Sequence, residues 1–135
     1  MPALTADRDT LRRDSIDYEW PMEAATVGYA GAIACINSSG RLTRGATATT
    51  LKAVGVFKER ADNSAGSAGA IKGKVRRGSF RFNNSASTDQ ITLADVGSNC
   101  FIVDDNTVAK TNGSNTRSIA GVIDDVDAAG VWVRF

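Results

Sequence analysis

The chain has 135 residues and a mass of 14.2 kDa, with 16 Lys and Arg against 15 Asp and Glu. That length suits one domain with its own core, and a net charge of +1 excludes a protein that wraps nucleic acid by bulk charge. Histidine is absent, which excludes a Ser-His-Asp triad, and the two cysteines, Cys35 and Cys100, are too few for a zinc cluster or a disulfide framework.

The first 14 residues, MPALTADRDTLRRD, carry six charges, and Leu4 and Leu11 are their only large apolar anchors. Such a segment buries too little surface to offset the entropy of ordering, so it is expected to be mobile in the isolated chain. Being charged rather than apolar, it does not read as a signal peptide, and no apolar run approaches the length of a membrane span. Ile16, Tyr18 and Trp20 then alternate with Asp17 and Glu19 until Pro21, a strand pattern with one apolar face. This strand is either the first of the chain's own sheet or an arm that pairs with a neighbour. The expected division is an extended arm over residues 1–22 and a β-domain over 23–135.

Short strands follow. Val27, Tyr29, Ile33 and Cys35 share one parity, and Gly28, Ala30, Ala32 and Ala34 share the other, a small-residue face that suggests close approach by another sheet or subunit. Asn37 to Gly40 reads as a turn, Arg41 to Arg44 as a return strand, and Leu51 to Lys58 as a strand covered on both sides. Ala61 to Ala70 (ADNSAGSAGA) reads as a mobile loop. Ile71, Gly73 and Val75 alternate with Lys72, Lys74 and Arg76, but Phe80 and Phe82 have the opposite parity, which calls for a β-bulge or a corner at Arg77-Gly78. Thr92 and Asp95 stand at capping-box spacing before Gly97. Cys100 to Val103 is a strand, Val108 lies in a short piece before the Asn112-Gly113 turn, and Ile119 to Phe135 forms a closing hairpin around Asp127-Ala-Ala-Gly130. The fold class is therefore all-β: a small barrel or sandwich with an N-terminal arm and a C-terminal hairpin.

Catalytic patterns fail one by one. Ala65-Gly66-Ser67-Ala68-Gly69 misses the nucleophile elbow by one glycine, and Gly69 to Val75 misses the phosphate loop in both length and its terminal hydroxyl. The aspartates at 104, 105, 124, 125 and 127 match only a fragment of a calcium loop, and turn chemistry accounts for them. No cofactor and no metal are expected. Lys72, Lys74 and Arg76, with Arg77 and Arg81, form the one basic patch. It reads as a solvated strand face, as a docking face for an acidic protein, or as a contact for single-stranded nucleic acid.

VRRGSF (Val75 to Phe80), ITLADVGSNCFIVDDNTVAK (Ile91 to Lys110) and SIAGVIDDVDAAGVWVRF (Ser118 to Phe135) together resemble the small capsid decoration, or cement, proteins of tailed bacteriophages and Mu-like prophages. The resemblance extends over nearly the whole chain. It implies a β-barrel-like fold without catalysis, assembled in the host cytoplasm and bound to the outer surface of the phage head. The implied partners are the major capsid protein and further copies of the chain, as a homotrimer or else a dimer, with no nucleic acid or membrane partner. The residues matched to that role are Leu4, Leu11, Arg12 and Arg13 of the arm, Ile16, Tyr18 and Trp20 of the first strand, and the face of Lys72, Lys74 and Arg76. Two other readings are a single-stranded nucleic-acid-binding barrel and a head-tail joining or tail protein, which would form rings.

Overall fold

The computed structural model describes residues 2–135; Met1, the first residue of the expected arm, lies outside them. Twelve strands run in chain order: β1 (Asp17–Pro21), β2 (Thr26–Gly28), β3 (Ile33–Ile36), β4 (Leu42–Arg44), β5 (Lys52–Phe57), β6 (Ala61–Asn63), β7 (Lys72–Arg76), β8 (Ser79–Asn84), β9 (Asn99–Ile102), β10 (Thr107–Ala109), β11 (Ile119–Asp127) and β12 (Gly130–Arg134). Helical structure among the described residues is limited to two three-residue 3-10 turns, Ser87–Asp89 and Leu93–Asp95. At the second, the Asp95 carboxylate accepts the Thr92 backbone N–H at 2.8 Å, the acidic half of the capping box read from the sequence.

The strands form three units. A five-stranded sheet has the order β1-β7-β5-β3-β4, a closed barrel has the order β10-β8-β12-β11-β9, and β2 and β6 make a two-stranded ribbon. The closing hairpin β11–β12 lies in the barrel, with a register shift between Ile123 and Asp125. β10 closes the ring by pairing antiparallel with β9 and parallel with β8.

Two cores explain why β3 and β5 are apolar on both parities. Ile33, Cys35 and Val56 join barrel residues Phe82, Ile102, Val108, Ile123, Val131 and Val133 in one cluster. Ala32, Ala34 and Phe57 face the other way and meet Met22, Leu42, Ala61 and Val75 in a second. Phe57 organises the second core: a Cβ on Gly28 would sit 2.3 Å from its ring, and one on Gly73 3.2 Å. The small face expected from residues 28–34 is thus consumed within the chain. Gly28, Ala32 and Ala34 are buried there, and only Ala30 is exposed. The stripe gives no support to contact with another subunit.

Two further expectations are corrected, and a third is narrowed. The segment 17–22 belongs to the body rather than to an arm, because β1 pairs antiparallel with β7, Asp17 opposite Arg76 through Pro21 opposite Lys72, and Met22 is fully buried. Ala61 to Ala70 is not a free loop. β6 pairs with β2, and the buried Asn63 amide donates to the carbonyls of Glu23 and Ser67 at 2.8 and 3.0 Å. Of the two readings at Arg77-Gly78, a bulge or a corner, the structure has the corner: β7 ends in the sheet and β8 begins in the barrel, across Gly78 at φ +154°. Val75 therefore fills one core and Phe82 the other.

Both thiols lie in strands and are fully buried; burial pushes the Cys35 pKa up to about 12 and that of Cys100 up to about 11. Neither forms reactive thiolate in the folded state at neutral pH. A chromogenic disulfide reagent at about pH 8 is expected to titrate no thiol in the native protein and both in denaturant. Fast native labelling of either would show that its strand opens locally.

Candidate functional site

β1 is the outer strand of the five-stranded sheet, and β7 is its only ladder partner among the described residues. The Ile16 carbonyl accepts the Arg77 N–H at 2.8 Å, and the Met22 N–H donates to the Ile71 carbonyl at 2.9 Å. In an antiparallel ladder the backbone groups alternate in direction, so the even-numbered residues of β1 face β7. The N–H and C=O of Asp17 and Glu19 consequently point to the open edge. Pro21 has no N–H and limits that edge. At its far end the strand leads to a single parallel bridge between Met22 and Leu42 of β4, so the sheet curls toward closure there and stays open at Asp17 and Glu19.

The two faces of this edge differ. On one, the Tyr18 and Trp20 rings stack at 5.1 Å with planes 4° apart, and Trp20 packs on the second core. Two guanidiniums lie over the Tyr18 ring, Arg77 at 4.8 Å and Arg13 at 5.6 Å from its centroid. The other face carries Lys72, Lys74 and Arg76 of the predicted patch, while Arg77 lies over Tyr18 and Arg81, in β8, lies over Trp132. Arg76 Nε donates to the Asp17 carboxylate at 3.0 Å, Lys58 approaches the same carboxylate at 3.9 Å, and Lys74 pairs with Glu59 at 3.5 Å. The hydrogen bond from Arg76, reinforced by the charges of Arg76 and Lys58, holds the Asp17 carboxyl below its usual range. Pairs this exposed contribute little to stability, but they cancel charge. Of the three basic strand residues only Lys72 has no ion pair among the described residues. The expected cationic stripe is therefore a mixed-charge ladder, a poor track for a polyanion.

Every residue from 2 to 17 is exposed, and none from 2 to 16 lies in a strand. Leu4 is 70% exposed, Leu11 90% and Ile16 50%, so the arm leads straight into the open edge with its anchors uncovered. Arg13 is the arm residue seated on the body, over Tyr18, and Arg12 is exposed. The sequence-predicted arm and first-strand residues thus lie along one border of the molecule, with Lys74 and Arg76 beside them on β7. Asp17, Lys58 and Glu59 escaped sequence reasoning, and Arg77, read there as part of the basic patch, lies over Tyr18 instead. Their role depends on the register of β1 against β7, which no local pattern specifies.

The aspartate clusters separate into turn and pairing roles. Asp127 accepts the backbone N–H groups of Ala129 and Gly130 and the Trp132 indole N–H, Asp104 accepts the Asn106 N–H, and Asp105 pairs with Arg44 at 3.8 Å. Asp124 accepts the Ser79 hydroxyl and pairs with Arg134. Among the described residues no group of three or more acidic or sulfur ligands converges.

Comparison with protein-family models, with curated proteins and with solved structures gives no match to this chain.

Proposed function

We propose that this protein is a capsid decoration protein, which binds the outer surface of a tailed-phage head without catalysis and stabilises it by clamping junctions between major capsid subunits. The reading rests on the resemblance carried by VRRGSF, by Ile91 to Lys110 and by the closing segment Ser118 to Phe135. The observation that carries it furthest is the open edge of β1 continued by an exposed arm. An extended segment of a shell subunit can add to the edge through the outward groups of Asp17 and Glu19, with alternate side chains setting the register. One such contact is weak. A homo-oligomer, by this reading a trimer, multiplies it through high effective concentration on the lattice. The nucleic-acid alternative loses its main support because Lys74 and Arg76 are matched by carboxylates.

Glu19→Pro tests the edge. It removes one outward N–H and leaves the groups that face β7 in place. Occupancy on undecorated heads, read by co-sedimentation, is expected to need about tenfold more protein, the effect of about 1.4 kcal/mol, with an unchanged far-ultraviolet spectrum. Wild-type occupancy by this variant would remove the edge from the contact surface.

A further inference from the structure

The seat of the arm on the body brings like charges together. Trp20 stacks on one face of the Tyr18 ring, with centroids 5.1 Å apart and planes 4° from parallel. The guanidiniums of Arg77, at 4.8 Å, and Arg13, at 5.6 Å, therefore share the other face. Arg77 lies on that side because its backbone N–H donates to the Ile16 carbonyl, beyond Tyr18 from Trp20. Its Nε donates to the Val54 carbonyl at 3.2 Å, which fixes the fork in place. Neither guanidinium pairs with a carboxylate among the described residues, whereas Lys58, Lys74 and Arg76 on the opposite face of the sheet all do. Two guanidiniums over one ring repel each other. An oxyanion between them replaces that repulsion with charge-assisted hydrogen bonds.

The backbone beside the seat decides what carries the oxyanion. An antiparallel strand added to the open edge of β1 bonds to the outward groups of Asp17 and Glu19. One of its residues then stands directly opposite Tyr18, in the close, non-hydrogen-bonded kind of pair, because Tyr18 turns its own N–H and C=O toward β7. Opposite residues share a face of the sheet, so this side chain emerges beside the Tyr18 ring and its two guanidiniums. The residues two before and two after it stand opposite Trp20 and Ile16, the latter 50% exposed. A Glu or Asp in the middle position meets the guanidiniums, and a Lys or Arg is repelled. A free anion supplies the charge but leaves the edge unpaired.

We propose that the extended segment that adds to β1 carries an acidic side chain opposite Tyr18, flanked two residues away on each side by apolar ones, and that its carboxylate bridges Arg13 and Arg77. The bridge ties the arm to the bound strand, so arm and edge act as one site. This rests on the reading of the β1 edge as a docking strand and adds the chemistry of what docks there.

The test uses the full-length protein and three dye-labelled peptides, TVTETVT and its variants with Gln or Lys in the middle position, followed by fluorescence anisotropy. The Glu peptide is expected to bind about tenfold tighter than the Gln peptide, and the Lys peptide more weakly than either. Arg13→Gln, at an exposed position, should cut that preference to about threefold, and Arg13→Gln with Arg77→Gln should abolish it, at unchanged circular dichroism. Raised salt should narrow the preference by screening, and inorganic phosphate should compete no better than sodium chloride of equal ionic strength. Equal binding of the Glu and Gln peptides would overturn the proposal, as would a Glu preference unchanged by Arg13→Gln. So would a preference erased by phosphate at equal ionic strength, since the seat would then belong to a free anion. The edge reading fails separately. Glu19→Pro should weaken all three peptides alike, and undiminished binding of the Glu peptide to that variant would count against the edge alone. Peptides that all fail to bind would remove the edge, and the proposal with it.

Discussion

Phe57→Ala is expected to destabilise the protein by about 3–5 kcal/mol, the cost of emptying a fully buried aromatic site. Phe57 is 1% exposed and central to the second core, where Gly28 and Gly73 are shaped to its ring. A smaller side chain leaves a cavity that neither glycine can fill, since both belong to strands whose registers are set by backbone pairing. Against a total stability of about 5–15 kcal/mol, the loss should lower the melting temperature by roughly 10–20 °C. The urea midpoint and the thermal melt read the same quantity. A loss below about 1 kcal/mol would mean that the ribbon β2–β6 collapses onto the sheet and that the second core is loosely packed.

Deletion of residues 1–14 should have the opposite profile. The arm is exposed throughout, and its contact with the body is Arg13 over Tyr18, a ring that keeps Arg77. The melting temperature of the dilute, monomeric body should therefore stay within about 1–2 °C of wild type, because ordering the arm alone returns little of its backbone entropy. Occupancy on purified heads should fall by a factor of about 100 or more, as multivalent attachment is reduced to single contacts. Raised salt should reproduce part of that loss by screening the arm charges, Arg12 and Arg13 among them. Co-sedimentation at low and high salt, paired with the melt, measures both halves. Full head binding by the truncated protein would confine the contact surface to the body. The mass of the truncated protein then separates two roles for the arm: a monomer places it in a sister copy, and an unchanged oligomer places it on the shell.

Much of the local structure was legible in the sequence because strands and turns are written in near neighbours. The alternation of Ile16, Tyr18 and Trp20, the Asn37–Gly40 turn, the Thr92–Asp95 cap and the closing hairpin around Asp127 all depend on residues a few positions apart. The all-β class follows from the sum of such signals, and the exposure of residues 2–16 follows from a charged segment with few large apolar groups. Tertiary structure decided what each strand lies against. The parity change at Gly78 was visible, but whether it marked a bulge or a passage from sheet to barrel depended on two cores assembled from residues far apart in sequence. The alanines at 32 and 34 looked like a surface for another subunit until Phe57 came to cover that face. Lys74 and Arg76 looked like a cationic stripe until the pairing of β1 with β7 placed Asp17 beside Arg76, and Glu59 came within reach of Lys74. Pairing over some 60 residues has no local signature, because backbone hydrogen bonds are the same for every sequence and only burial of the correct faces selects the register.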